Sequence, residues 1–565
     1  MISSGILTVR KPAQRNVFTI SLVFFVTSYT ILLLGMPRWP VPYDEGLMLT
    51  AVMRIMAGQV PHRDFYAIYG PANFYVPAAL FKMFGQNLLV NRLLGFFVEA
   101  LTTAVTYAIA SRYCRRSISI AAAIVTILWF EGWNSYSFYP VFPVALLSIV
   151  STALLVPSFA RRLAKKRLFA AGALAGLSTL FRYDMGAGLL AVHICFLAIA
   201  SYSQPSGPSK KITIFFSDIW PYLLGFSILT LPLAIYFLSV SAFYPMLRDV
   251  VILQYHNYYR GRNTPFPGLH LKYLDDLAVY LPIVTVVLSL FALRTAALAG
   301  DRDNSGDLHP ESEERERKGL VIAFSLLAFA MFFKSYVRIG ALPMFTSLLP
   351  CLLMTAVLFE YREKLPNFAR ITTNLLAACF LFTAAFSSAK SIRRVIIQGN
   401  IPGRIARVLS SRVRPAGDFE ASWCAQSNPM TKGFCFWSDE GRLRTIEFID
   451  SHTQPSQRLF VGVTRHDKIF ANDNIIYFTS QRLPATKWSH FDPDLQNSYP
   501  IQLEMVHELD ETSPPYIVLD SEFDSIHEAN DSSKSTGVTL LDDYIHSRYR
   551  YAQAFDEMSI WERIP

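Results

Sequence analysis

Long apolar runs separated by short polar turns occupy the chain from about residue 17 to about residue 389. A helix needs about 20 apolar residues to cross a bilayer, and most of these runs approach or reach that length. The pattern predicts a mainly α-helical membrane bundle of about 11 spans, at residues 17–35, 88–110, 118–130, 140–160, 168–181, 185–202, 219–238, 277–298, 319–333, 339–359 and 371–389. A further apolar run, 72–84, is short for a span and suits a re-entrant or interfacial segment.

Basic residues fall at nearly every alternate turn between these runs, as the positive-inside rule describes. The clusters around Arg115 and Lys165 mark the cytoplasmic side. We therefore expect an uncleaved first span with a cytoplasmic N-terminus. Loop 36–71, the tyrosine-rich loop 239–276 and the chain after residue 390 are then expected on the extracytoplasmic side. The net charge of +9 is explained by these clusters, so we predict no nucleic-acid partner.

Hydropathy drops after residue 390, which divides the chain into a membrane domain, 1–389, and a small soluble α/β domain, 390–565. Segments 457–464, 474–479 and 516–520 have the composition of buried strands, and 441–451 and 538–547 that of helices. This part shows no nucleotide-binding glycine motif, HExxH or nucleophile elbow, so no chemistry is assigned to it. Acceptor binding or capping of a site is left open, and Cys424 and Cys435 could pair in an oxidising compartment.

Two adjacent carboxylates, Asp44 and Glu45, follow the first apolar run by a few residues. A carboxylate at the boundary of water and membrane can deprotonate or orient an acceptor there. The simpler interpretation is that Asp44 caps the helix predicted over 44–59, through a hydrogen bond to a backbone N–H. On a helix Glu45 would point about 100° away from Asp44, so the two are not expected to act as equal partners.

The N-terminal sequence contains an ordered series of short motifs: Tyr43-Asp44-Glu45, residues 58–65 (GQVPHRDF), Tyr69-Gly70-Pro71, Gly85 and Asn91-Arg92-Leu93-Leu94. This series resembles the N-terminal part of the GT-C glycosyltransferases, which take sugars from polyprenyl phosphates and include protein O-mannosyltransferase and aminoarabinose transferase-like families. The resemblance covers about residues 17–116. It implies that Asp44 is the acidic residue of the first external loop that is catalytic, as a base or by orienting the acceptor, with Glu45 beside it. Some members use a divalent cation, but no closed metal-ligand set is recognisable here and no other cofactor is predicted.

Three charged residues near this loop are candidates for substrate binding. Arg63 and Asp64 could contact substrate or form a surface ion pair, which would contribute under about 1 kcal/mol. Arg92 lies near the outer start of its span, where a charge must face the bundle or the headgroups. A contact with the lipid phosphate is the functional alternative for Arg92.

Later outer loops supply further candidates for binding a donor phosphate. Arg182 lies at an outer turn, and many GT-C proteins carry a basic residue at the corresponding turn. Arg260 and Arg262 lie in the tyrosine-rich loop, where arginine matches phosphate geometry but can also anchor the loop in the headgroups. His256 in the same loop could assist as a base or ligand, although a lone histidine is weak evidence.

Lys334 and Arg338 lie at the outer end of a span with a spacing of four residues. On a helix they would share one face and present two cations to one anion. Cations usually stay on the cytoplasmic side, so their position outside favours a functional role.

Together with these residues, the resemblance to GT-C glycosyltransferases implies an inverting glycosyltransferase of the bacterial inner membrane, acting on its extracytoplasmic face. The donor would be a polyprenyl-phosphate sugar, and the acceptor a glycan, lipid or protein. A transporter or flippase of lipid-linked glycans is the alternative, although it predicts paired internal repeats that the sequence does not show. A non-catalytic scaffold displaying the C-terminal domain would leave the Asp44 loop unexplained.

Overall fold

The computed structural model describes residues 14–37, 40–133, 138–204, 207–268, 274–295, 309–397, 422–424, 435–528 and 530–565. Each of the eleven predicted runs coincides with a helix. These helices are α1 (Gln14–Gly35), α4 (Leu88–Tyr113), α5 (Arg116–Gly132), α6 (Val141–Leu155), α7 (Lys165–Phe181), α8 (Tyr183–Tyr202), α9 (Pro208–Ser239), α12 (Leu274–Leu293), α13 (His309–Ser335), α14 (Phe345–Glu360) and α15 (Asn367–Ile397). Shorter helices lie between them: α2 (Asp44–Met56), α3 (Ala72–Phe84), α10 (Phe243–Leu247) and α11 (Tyr259–Arg262), the last following two π-helical turns, Arg248–Ile252 and Gln254–Tyr258.

Within the described residues, seven helices are long and apolar enough to cross a membrane, and shorter apolar helices accompany them. A helix forms its backbone hydrogen bonds within itself, so it can cross the hydrocarbon core, which offers no hydrogen-bonding partners. The chain is therefore an integral membrane protein. The count of eleven spans stays a prediction, since α5, α7 and α14 have only 17, 17 and 16 residues.

Small residues allow two neighbouring helices of the bundle to pack closely. A Cβ placed on Gly172 of α7 would lie 1.9 Å from the carbonyl oxygen of Tyr222 in α9. One placed on Gly225 of α9 would lie 2.0 Å from the carbonyl oxygen of Phe169. Backbones of membrane helices approach this closely only where side chains are minimal.

The predicted helix in the first external loop is present as α2, and it is largely covered by other parts of the protein. Its residues 45–54 are all buried. Gly46 packs against the backbone of Ile475, where an added Cβ would lie 2.4 Å from the nitrogen. The amide of Asn474 donates to the carbonyl of Pro42 (3.1 Å), and the Thr50 hydroxyl donates to the carbonyl of Asn474 (2.9 Å). Helix α2 therefore lies beneath the C-terminal part of the chain.

The C-terminal part forms a mixed four-stranded sheet in the order β3-β4-β6-β5. Strand β3 (Phe460–Val463) is parallel to β4 (Tyr516–Asp520); β6 (Met558–Arg563) is antiparallel to β4 and to β5 (Tyr549–Phe555). Helices α16 (Glu440–His452), α17 (Ile475–Ser480), α18 (Tyr499–Thr512) and α19 (Leu540–Arg548) complete it. Two further short strands, β1 (Ser422–Cys424) and β2 (Cys435–Trp437), pair antiparallel with Cys424 opposite Cys435 in the backbone register.

Four of the five predicted C-terminal elements are present, and one is wrong. Segment 474–479 was expected to be a strand because it is apolar and aromatic, but it is helix α17. The carboxylate of Asp473 accepts the amide of Ile475 (3.1 Å), which supports a helical turn. The buried run therefore takes its conformation from this local hydrogen bond and its tertiary neighbours. Strands β5 and β6 were not predicted.

Candidate active site

A cavity of about 640 Å³ lies where loops of the membrane bundle meet the C-terminal part. Its polar lining comes from widely separated parts of the chain. Contributing side chains include Tyr43 and Asp44 at the start of α2, Tyr69 after it, Arg182 between α7 and α8, Asp184 in the first turn of α8, Gln254 and Arg262, Lys334 in the last turn of α13, Arg338 after α13, and Phe470, His490 and Asp492 from the C-terminal part. Asp44 thus shares one cavity with four of the predicted cations.

Asp44 is the first helical residue of α2 and is half-buried. Tyr43 occupies the N-cap position and makes no side-chain capping bond, so Asp44 is not the helix cap. Burial raises the pKa of Asp44, while Arg338 and Arg262 oppose that increase. A carboxylate with a raised pKa is a better proton acceptor, which suits a general base.

Glu45 does not line the cavity, and neither does Arg92. The two form a buried ion pair in which Arg92 Nε and Nη2 lie 2.9 and 2.8 Å from the two carboxylate oxygens. Arg92 also donates to the carbonyl of Pro37, and the Val41 amide donates to Glu45 (3.1 Å). The pair therefore anchors the loop before α2. This geometry does not support the predicted catalytic role of Glu45 or the predicted lipid-phosphate contact of Arg92.

Arg63 and Asp64 form an ion pair with each other outside the cavity. Arg63 Nε and Nη2 lie 2.9 and 2.8 Å from the two oxygens of Asp64, and the Arg63 side chain is 41% exposed. Asp64 also accepts the amide of Val60 at 2.7 Å. The geometry matches the surface ion pair considered from the sequence, and not the predicted substrate contact.

One side of the cavity carries a cluster of Arg182, Asp184 and Lys334. Arg182 donates to both oxygens of Asp184 at 3.2 and 3.0 Å, and Lys334 Nζ lies 2.9 Å from Asp184 Oδ2. The guanidinium of Arg182 lies over the ring of Tyr69, 5.4 Å from its centroid. Two cations share one carboxylate, so this cluster carries a net positive charge towards the cavity.

A second group of cations in the cavity lining comprises Arg262 and Arg338. Arg262 is buried and donates to Asp492 Oδ1 (3.2 Å) and to the carbonyl of Phe470 (2.7 Å). Its Nη1 lies 3.8 Å from Glu528 Oε2, and Arg338 Nη2 lies 3.0 Å from Glu528 Oε1. Arg338 lies beyond the end of α13 at Ser335, so the expectation that it shares a helix face with Lys334 is wrong. The side chains of Lys334 and Arg338 nevertheless both line the cavity.

His256 lies on a neighbouring groove of about 710 Å³, outside the cavity lining. This groove is lined largely by apolar side chains such as Val251 and shares Asp184, Val250 and Gln254 with the cavity. The backbone of Arg260 is helical in α11, but its side chain lies outside the described residues.

The C-terminal part contributes residues that sequence reasoning missed. His490 Nε2 lies 2.9 Å from Asp492 Oδ2, and the Tyr43 hydroxyl donates to the carbonyl of Phe491 (2.9 Å). Burial raises the pKa of Asp492, but His490 and Arg262 outweigh that effect and lower it to about 2. The segment Trp488-Ser-His-Phe-Asp492 combines aromatic and titratable residues. That combination is the one sequence signal that could have singled it out.

Aromatic rings surround the His490 imidazole. Its centroid lies 5.9, 5.4 and 6.5 Å from those of Tyr43, Tyr66 and Tyr69, respectively. Tyr43 and Tyr69 also line the cavity. Tyrosine faces and edges of this kind suit the C–H groups and hydroxyls of a sugar.

Among the described residues, a cluster of three metal-ligating side chains occurs outside this cavity, at Asp473, Asp520 and Glu522. The cavity itself combines carboxylates with four cationic side chains. That donor set suits an anionic group such as a phosphate better than a metal ion.

Comparison with known proteins identifies the fold. No protein-family model matches the sequence, and no curated protein matches it. The structure is similar to that of ArnT from Cupriavidus metallidurans bound to undecaprenyl phosphate, with a TM-score of 0.56 and 12% identity over 97% of this chain and 98% of that chain. ArnT in the apo state gives a TM-score of 0.55 with 13% identity and the same coverage.

A second similar structure is archaeal AglB, an oligosaccharyltransferase from Archaeoglobus fulgidus in complex with an inhibitory peptide and a dolichol-phosphate. Its TM-score is 0.50, with 11% identity over 97% of this chain and 75% of that chain. ArnT and AglB have the GT-C fold of polyprenyl-phosphate glycosyltransferases. At these identities the similarity is one of fold, and it confirms the fold that the N-terminal motifs indicated: the chain has the GT-C fold over nearly its full length.

Proposed function

We propose that this protein is an inverting membrane glycosyltransferase that takes a sugar from a polyprenyl-phosphate donor. The observation that carries the proposal is the cavity itself: Asp44, with a raised pKa, faces cations from three separate loops. The fold supports the same class, since ArnT was observed with undecaprenyl phosphate and AglB with a dolichol-phosphate.

The cations would bind the donor phosphate and stabilise it as it leaves. Lys334 and Arg338 are 34% and 41% exposed, so each can turn from its carboxylate partner towards a ligand. Charged hydrogen bonds to phosphate oxygens are about twice as strong as neutral ones. The carrier chain would lie along the neighbouring groove, past Val251 and Tyr255, because that groove adjoins the cavity at Asp184.

Asp44 would act as general base towards the acceptor. Its carboxylate removes the proton of an acceptor hydroxyl or amine while that atom forms a bond to C1 of the sugar. The bond between C1 and the phosphate oxygen breaks in the same step, and the electron pair leaves on the phosphate. A single displacement inverts the anomeric centre, and polyprenyl phosphate is the second product.

The C-terminal part, residues 390–565, would close the cavity and help bind the acceptor. It contributes His490, Asp492 and Phe470 to the cavity lining, and its residue Asn474 is hydrogen-bonded to Pro42 just before α2. The acceptor, a glycan, lipid or protein, would enter from the same side. The cation pattern along the chain supports a site on the extracytoplasmic side of a bacterial inner membrane.

A transfer assay in proteoliposomes tests this function. Purified protein would receive radiolabelled undecaprenyl-phosphate mannose or glucose, together with a total envelope extract as acceptor. We expect label to move from the lipid fraction to an acceptor, with release of undecaprenyl phosphate. Movement of intact labelled lipid between leaflets, without cleavage of the C1–O bond, would instead support the transporter alternative.

A further inference from the structure

Three carboxylates converge in the C-terminal part, away from the cavity. One oxygen each from Asp473, Asp520 and Glu522 lie within 4.8 Å of one another. Asp473 lies two residues before helix α17, and Asp520 ends strand β4. The side chain of Asp473 is fully buried, whereas that of Glu522 is 46% exposed, which leaves one open side.

Asp520 is the residue that this cluster leaves unsatisfied. It is fully buried, and its Oδ1 accepts the amide of Glu522 at 2.9 Å. Its Oδ2 is also buried and has no hydrogen-bond partner among the described residues. A buried carboxylate oxygen without a partner is costly, so its persistence points to a missing positive ligand.

Arg442 neutralises part of the cluster without reaching Asp520. Its Nε lies 2.7 Å from Asp473 Oδ2, and its Nη2 lies 2.7 Å from Glu522 Oε2. The same guanidinium also pairs with Asp439. Three carboxylates therefore pair with one guanidinium while Asp520 is left without one, and a further cation would be stabilised on the side of Asp520.

We propose that Asp473, Asp520 and Glu522 bind a divalent cation with a preference for oxygen ligands, such as Ca²⁺, Mg²⁺ or Mn²⁺. The ion would hold the turn at Asp473 in place. The next residue, Asn474, bonds to Pro42 and Thr50 on either side of Asp44. The ion would thus stabilise the docking of the C-terminal part on the loop that carries Asp44. This site is separate from the cavity and does not depend on the proposed reaction.

Thermal unfolding of the full-length protein in detergent tests the proposal. The protein would be stripped with EDTA and then titrated with each of the three ions. We expect a saturable increase in Tm of a few degrees with at least one ion, because a ligand of the folded state stabilises it. The increase should disappear in Asp520→Asn and persist in Asp531→Asn, a matched loss of an exposed carboxylate.

A network completed by Arg442 alone predicts the opposite pattern. No ion would then change Tm in the wild type. That result would overturn the proposal, as would an equal ion effect in the wild type and in Asp520→Asn. If that variant does not fold, Mn²⁺ binding measured by electron paramagnetic resonance compares wild type with Glu522→Gln. This variant changes a half-exposed side chain and should weaken binding at least about tenfold.

Discussion

Arg338 Nη2 lies 3.0 Å from Oε1 of Glu528, so a carboxylate from the C-terminal part engages a cation that lines the cavity. Oε2 of Glu528 also lies 3.8 Å from Arg262. A donor phosphate that uses these arginines must therefore compete with Glu528.

Replacing Glu528 should improve donor binding. Glu528→Gln keeps the shape of the side chain but removes its charge, so the arginines no longer lose a strong partner when phosphate binds. We expect the KM for donor to fall by about threefold to tenfold, equal to roughly 1 kcal/mol, with little change in kcat. Glu511→Gln, an exposed residue of α18, serves as control. An increase in KM would show that Glu528 organises the site instead of competing with the donor.

Variants at Lys334 and His256 should distinguish the contribution of the cavity to donor binding from that of the neighbouring groove. Lys334→Gln removes a cation from the cavity, where a charged hydrogen bond is worth about 1.5–3 kcal/mol. The donor KM should therefore increase by about tenfold to 100-fold. His256→Ala changes a side chain in the groove proposed for the carrier chain, away from the phosphate, so it should raise the donor KM much less than Lys334→Gln does. Equal effects in the two variants would argue against phosphate binding by Lys334.

The two acidic neighbours of the first loop should differ in their effect on stability. Glu45→Gln breaks the buried pair with Arg92, which typically costs about 3–5 kcal/mol. Asp64→Asn removes an exposed pair with Arg63, worth less than about 1 kcal/mol. Thermal unfolding in the same detergent should show a large decrease in Tm for Glu45→Gln and almost none for Asp64→Asn. Similar Tm values would contradict the anchoring role of the buried pair.

The pH dependence of transfer should report on Asp44. Because burial raises its pKa, kcat/KM should fall on the acid side at a pH above the ordinary aspartate range of about 4. Arg338 lowers the pKa of Asp44, so Arg338→Gln should shift this acid limb to higher pH. If the kcat/KM profiles of wild type and Arg338→Gln have the same midpoint pH and differ only in height, the acid limb does not report the protonation of Asp44.

Much of the site could be predicted because membrane topology places distant residues at one level. Asp44, Arg182, Arg262, Lys334 and Arg338 were each assigned to the outer side from the order of runs and basic clusters, and all five line one cavity. Hydropathy is a property of the local sequence, and it is enough to predict that these residues lie on the same side of the membrane.

The remainder depends on tertiary contacts that have no local signature. Glu45 is withdrawn from the cavity by its partner Arg92, 47 residues later in the chain. His490 and Asp492 reach the cavity only because the C-terminal part docks on α2. That docking rests on backbone contacts such as Asn474 to Pro42, which side-chain patterns do not reveal.

The most direct test of the catalytic account is the transfer assay with Asp44→Asn. This substitution keeps the size of the side chain but removes the base, so transfer should fall by about 100-fold to 10,000-fold. Binding of undecaprenyl phosphate and Tm should be retained, and Asp64→Asn should transfer at the wild-type rate. Full transfer by Asp44→Asn would contradict the assignment of Asp44 as the general base.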